Sequence, residues 1–174
     1  IDDVGLNPTR TGLIDILRRF GARVDVHETG GQAGEPLGTI VVTGERTGAV
    51  TIAPEEVPGI IDELPAIAAL AAHGGEVSVT GAKELRVKES DRITVLVTGF
   101  RALGIDADER PDGFVIRGNG THAGGVADAH GDHRMAMAFA LAALTARSES
   151  RIEGADVVAI SYPTFFATLE RLVA

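Results

Sequence analysis

The chain has 174 residues, 44% of them hydrophobic and 24% charged, enough for one globular domain with a real core. Its formal net charge of −9 argues against general binding to nucleic acid or to an anionic membrane, and the lack of cysteine excludes a disulfide framework and thiolate chemistry within this stretch. No apolar run reaches transmembrane length, residues 1–20 lack a signal-peptide pattern, and a start at Ile1 rather than Met reads as a piece of a longer protein, for which a cytoplasmic location is expected.

In chain order, Asn7-Pro8 reads as a helix cap followed by proline at the first helical position. Leu13, Ile16, Leu17 and Phe20 form its apolar face, and Gly21 ends it. Residues 22–27 alternate as a strand. The Gly-rich stretch 28–34 lacks the spacing of a phosphate-binding loop and is expected to be a flexible hairpin connection, leading to a strand over 39–43. Residues 49–53 read as a strand, 54–59 break the pattern, and 60–72 form a strongly apolar predicted helix. Asp62 and Glu63 fall near its start, where the helix dipole alone favours acidic residues. A strand over 76–80 follows.

The stretch 81–104, GAKELRVKESDRITVLVTGFRALG, packs Arg86, Lys88, Glu89, Asp91 and Arg92 just ahead of Ile93, Leu96, Val97, Phe100 and Leu103, which recur at helical spacing. A dense charge cluster therefore stands at the start of an amphipathic helix capped by Ser90 or Asp91. Helix starts of this kind offer free N–H groups and partial positive charge to an anion. A solvated first turn with local ion pairs would read the same way. A second site of the same design, Asp132-His133-Arg134, precedes MAMAFALAAL, which is apolar almost all round and so is expected to be buried. Two basic helix starts in one small domain point to a polyanionic ligand.

Between these two sites, residues 105–109 and 114–117 flank a Pro111-Asp112-Gly113 turn and read as a β-hairpin. Residues 151–153 form a short strand that 157–160 extend or follow, and 163–173 form a last amphipathic helix with Phe165, Phe166, Leu169 and Leu172 inward. An internal repeat is visible: TRTGLIDILRRFGARVDV resembles SDRITVLVTGFRALGIDA, and AIAALAAHGGEVSVTGA resembles ALAALTARSESRIEGA. Helix–strand alternation with a hairpin gives an α/β (α+β) class with mixed sheets.

RVKESDR (Arg86 to Arg92), followed at the expected distance by DHRMAMAFAL, resembles the 3-phosphoshikimate 1-carboxyvinyltransferase, or EPSP synthase, family. NPTRTGL (Asn7 to Leu13) and SYPTFF (Ser161 to Phe166) resemble it too, in order, so the likeness runs over residues 1–174. It covers only the C-terminal part of such an enzyme. The resemblance implies repeated βαβαββ units with helices packed inside and sheets outside. The chain would then be one incomplete domain of a two-domain enolpyruvyl transferase, holding two units, with the N-terminal domain as its missing partner. The implied reaction transfers the enolpyruvyl group of phosphoenolpyruvate to the 5-hydroxyl of shikimate 3-phosphate, with no cofactor and no metal, in the shikimate pathway of aromatic amino-acid biosynthesis.

By the same resemblance Arg92 and Arg134 would hold phosphoenolpyruvate, Lys88 the phosphorylated shikimate, and Asp62 its ring hydroxyls. Glu89, with Asp62, would carry the catalytic role, Glu89 moving the proton at the methylene carbon. His133 would take only a helping place beside Arg134, and Arg86 that of a surface neighbour. Two departures stand out. Many members carry asparagine where Glu84 stands, and many carry a lysine near Ile160-Ser161-Tyr162, where this chain has no basic residue. Alternatives of the same ancestry are UDP-N-acetylglucosamine 1-carboxyvinyltransferase, against which RVKESDR argues, and a non-catalytic phosphometabolite-binding module.

Overall fold

Apolar residues at helical spacing form helices here, and glycine stops them. In the computed structural model, which describes residues 1–44 and 48–174, helix α1 (Gly12–Arg19) turns its buried Ile16 inward. It closes through Gly21, at φ +100°, where the amides of Gly21 and Ala22 reach the carbonyls of Arg18 and Leu17. Helix α3 (Arg92–Ala102) ends the same way at Gly104, with the amides of Gly104 and Ile105 on the carbonyls of Arg101 and Phe100. The repeat seen in the sequence is thus a repeat of cap geometry.

Strands β1 (Val4–Gly5), β2 (Arg23–Gln32) and β3 (Glu35–Thr43) form an antiparallel sheet in the order β1-β3-β2. A second sheet joins β4 (Ala49–Ile52), β5 (Glu76–Val79), β6 (Asp106–Arg110) and β7 (Gly113–Arg117) in the order β4-β5-β7-β6. The β4–β5 pair is parallel, joined through helix α2 (Leu64–Ala72), and the β5–β7 and β6–β7 pairs are antiparallel. A last parallel pair, β8 (Val126–Asp128) and β9 (Arg151–Glu153), is joined through helix α4 (His133–Ala143). The chain closes with helix α5 (Phe165–Val173).

The succession β4-α2-β5-α3-β6-β7 is one complete βαβαββ unit. Ahead of it the chain supplies the α-β-β pattern, and after it β8-α4-β9-α5. The expected count of two units therefore resolves, among the described residues, into one whole unit between two partial ones. Sequence repeats are blind to where a sheet begins, because a permuted unit repeats equally well.

Helices α2, α3 and α4 lie inside and the sheets outside, as the fold class anticipates. Seven of the nine residues of α2 are buried. α3 meets α4 through Gly99: a Cβ there would stand 2.2 Å from the Phe139 ring. The Phe100 and Phe139 rings pack edge to face at 5.7 Å. At the far ends of these helices the buried His122 ring sits between the carbonyl oxygens of Leu103 and Ala142, at 2.7 and 2.9 Å. Among the described residues no helix is long and apolar enough to cross a membrane.

Five local expectations are corrected. Asn7-Pro8 does not open a helix: Asn7 Oδ1 accepts from the Thr9 amide and hydroxyl, a local turn that competes with helix, so α1 waits until Gly12. The stretch 28–34 is paired strand up to Gln32, with a bulge between Glu28 and Gly30 and a two-residue turn at Ala33-Gly34, both at positive φ. Helix α2 begins at Leu64 rather than Ile60, because Pro65 cannot donate to the preceding turn and is tolerated only in a first turn. Asp62 and Glu63 therefore precede the helix. Residues 157–160 lie in a 3-10 turn over Ala155–Ile160, not a strand, once Gly154 enters the left-handed region at φ +69°. In α5 only the row of Phe165 and Leu169 meets the core, leaving Phe166 and Leu172 exposed.

Candidate active site

Three short segments bring charge to one place. After β5, Gly81 turns at φ +76° against Pro54, where a Cβ would approach Pro54 Cβ to 2.4 Å. A 3-10 turn over Lys83–Val87 follows, and Lys88 is extended. Asp91 then caps α3, its carboxylate accepting from the Thr94 amide at 3.1 Å. Asp132 caps α4 in the same manner, accepting from the Arg134 amide at 2.9 Å. The turn ahead of α2 supplies Asp62.

Arg92 is the centre of the cluster, its side chain only 2% exposed. Nε donates to Asp132 Oδ2 at 2.8 Å, Nη2 to Glu89 Oε2 at 2.6 Å, and Nη1 to Asp62 Oδ1 at 3.3 Å. A charge this deeply buried persists only when paired and hydrogen-bonded, and three carboxylates do so here. Asp132 is fully buried and also accepts from the Ser90 hydroxyl at 3.1 Å. Burial pushes its carboxyl up, but the Arg92 guanidinium, the Arg134 amide and the Ser90 hydroxyl outweigh this and hold it below the ordinary aspartate range. Arg134 Nη1 donates to the Asp62 carbonyl at 2.8 Å, and its Nη2 lies 3.5 Å from the Asp62 carboxylate. Asp62 thus bridges the two arginines.

Lys88 Nζ sits 2.8 Å from Glu84 Oε1, and that contact raises its ammonium above the ordinary lysine value. His133 occupies the first position of α4, half-buried beside Arg134. Arg86 stands apart from the cluster. Its Nε donates to the Pro111 carbonyl, Nη1 to Asp91 and Thr94, and Nη2 to Glu109 and the Arg110 carbonyl. It staples the α3 cap to the β6–β7 turn, which is more than a surface neighbour does. A mostly apolar recess of about 180 Å³ opens beside Asp62 and Arg134, walled by Met137, Leu141, Tyr162 and Phe165. Of residues 160–162, where a basic residue is missing, Tyr162 is the one that reaches this recess.

Of the residues singled out from sequence, Asp62, Lys88, Glu89, Arg92 and Arg134 assemble with Glu84 at the rim. From sequence, Asp132 reads only as part of the Asp132-His133-Arg134 helix start and Ser90 only as a cap, neither as a group that holds Arg92 in place. The available signal was a capping aspartate ahead of a buried helix: one carboxylate oxygen caps, and the other is left for a cation.

Residues 1–169 match the model of the family described as EPSP synthase (3-phosphoshikimate 1-carboxyvinyltransferase). The 3-phosphoshikimate 1-carboxyvinyltransferase of Carboxydothermus hydrogenoformans is 47% identical over 173 residues, and that of Nitrosococcus oceani 49% over 166. These alignments cover 99% and 95% of this chain but 40% and 37% of those proteins. The chain therefore spans about two fifths of the length of such relatives. A solved EPSP synthase from Acinetobacter baumannii superposes with a TM-score of 0.91 at 40% identity, over 98% of this chain and 40% of that one. The enolpyruvyl transferase NikO of Streptomyces tendae, at 22% identity and a TM-score of 0.60, shares the fold. With its helix starts, its internal repeat and the match over nearly its whole length in agreement, the chain belongs to the EPSP synthase family.

Proposed function

We propose that this chain contributes one face of the active site of a longer enzyme that joins phosphoenolpyruvate to the 5-hydroxyl of shikimate 3-phosphate and releases phosphate. The observation that carries the proposal is one cluster holding three cations, Lys88, Arg92 and Arg134, with two accessible carboxylates, Asp62 and Glu89, in a member of this family. The shikimate hydroxyl gives up its proton as its oxygen bonds to the enol carbon, and the methylene carbon takes a proton to become a methyl group. Loss of one methyl proton and of phosphate then yields the enol ether.

In this proposal Arg134 and Arg92 hold phosphoenolpyruvate, Lys88 the phosphate of the acceptor, Asp62 its hydroxyls, and Glu89 the proton in transit. Asp132 fixes Arg92 from its Nε side, so the ligand engages Arg92 by replacing Glu89 or Asp62 on the Nη atoms. Replacement of Glu89 frees its carboxylate at the moment a proton must move. The remaining contacts, and a cytoplasmic location, belong to the same proposal and come from the family. The test is phosphate release by the full-length protein given both substrates. Turnover that requires both supports the proposal, and none from a folded protein refutes it.

A further inference from the structure

The carboxylates of the cluster differ in how firmly they are held. Asp132 is fully buried, with Arg92, Ser90 and the Arg134 amide upon it. Asp62 is shared between two arginines. Glu84 is the opposite: its side chain is 66% exposed, and among the described residues its recorded polar contact is with Lys88, at 2.8 Å. Lys88 is 26% exposed, and besides Glu84 its ammonium feels the charges of Asp62 and Arg92.

We propose that Glu84 is a resident counterion of Lys88 which a ligand phosphate must displace, and that it sets the affinity of this site for the phosphorylated acceptor. The identity of that acceptor rests on the proposed function. The displacement itself rests on the ion pair. Exchanging a monoanionic carboxylate for a phosphate dianion adds charge and acceptor oxygens around Lys88. Exchanging it for another carboxylate gains nothing. Glu84 therefore acts as a filter, admitting phosphate to Lys88 and rejecting weaker anions by competition. An exposed pair four residues apart can also be a mere surface contact, so the decisive observation is energetic coupling between the two side chains and the ligand.

The experiment is a double-mutant cycle on the full-length protein, with the Kd of shikimate 3-phosphate read by calorimetry. Glu84→Gln should tighten binding roughly two- to fivefold, the scale of an exposed ion pair. Lys88→Met should weaken it, and Glu84→Gln added to Lys88→Met should change nothing further. Unchanged or weaker binding by Glu84→Gln, or the same gain without Lys88, overturns the proposal. The same cycle with inorganic phosphate reads the competition alone. If the wild type binds phosphate but no shikimate 3-phosphate, the functional assignment falls while the Glu84 claim is still decided by that cycle.

Discussion

Arg92 shows how a buried charge is held in place. Its three carboxylate partners come from three places in the chain, and Asp132 alone is fixed from a second side by Ser90 and a helix amide. Asp132→Ala should lower stability by about 3–5 kcal/mol, the usual loss when one partner of a buried pair is removed. Urea unfolding measures this. The pH dependence follows in sign. The Asp132 carboxyl is held below its unfolded value of about 3.9, so its contribution is complete above that value and is lost as pH falls through the lower folded one. Asp132→Asn should flatten that acid limb of the stability curve. An unchanged acid limb would mean other carboxylates carry it. Arg86, with every N–H of its guanidinium occupied, should cost about 1–3 kcal/mol of stability when replaced by alanine.

At the scale of elements, α3 and α4 place their N-termini at the cluster and cross where Gly99 admits Phe139. Alanine is the better helix former, so propensity alone favours Gly99→Ala by up to about 1 kcal/mol. Overpacking against the ring should reverse the sign, with a net loss of about 1–3 kcal/mol in thermal or urea unfolding, partly restored by Phe139→Leu. A stabilising Gly99→Ala would show that the two helices separate easily. The helices themselves were legible in the sequence because apolar spacing and terminal glycines agree at α1 and α3. The starts of α1 and α2 were not, because an asparagine turn and Pro65 override a pattern that periodicity alone extends. Nor was the Arg92–Asp132 pairing, which spans forty positions and depends on how two helices meet. Arg86 was misjudged for the same reason: beside Asp91 and Thr94, it reaches Glu109 and Arg110 at the end of β6 and Pro111 in the turn that follows.

At the scale of the whole molecule, the local signature residues were legible as a set, because RVKESDR and DHR both stand at helix starts. Their common centre was not, since only the packed core brings α2, α3 and α4 side by side. The chain spans about two fifths of its relatives' length, and Glu89, Lys88 and Arg134 of its cluster each keep part of their surface exposed. The chain by itself is therefore predicted to give no turnover in a phosphate-release assay with both substrates. Turnover by the purified chain would refute a site shared with further residues. The central claim is that this cluster performs the proton transfer of enolpyruvyl transfer, and it meets its most direct test at Glu89. Glu89→Gln in the full-length protein keeps size and hydrogen bonding but removes the titrating proton. Its kcat with both substrates saturating should fall by roughly 10²-fold or more while substrate binding is largely kept. A near-normal kcat from the folded, saturated variant would contradict the account and move the proton transfer elsewhere.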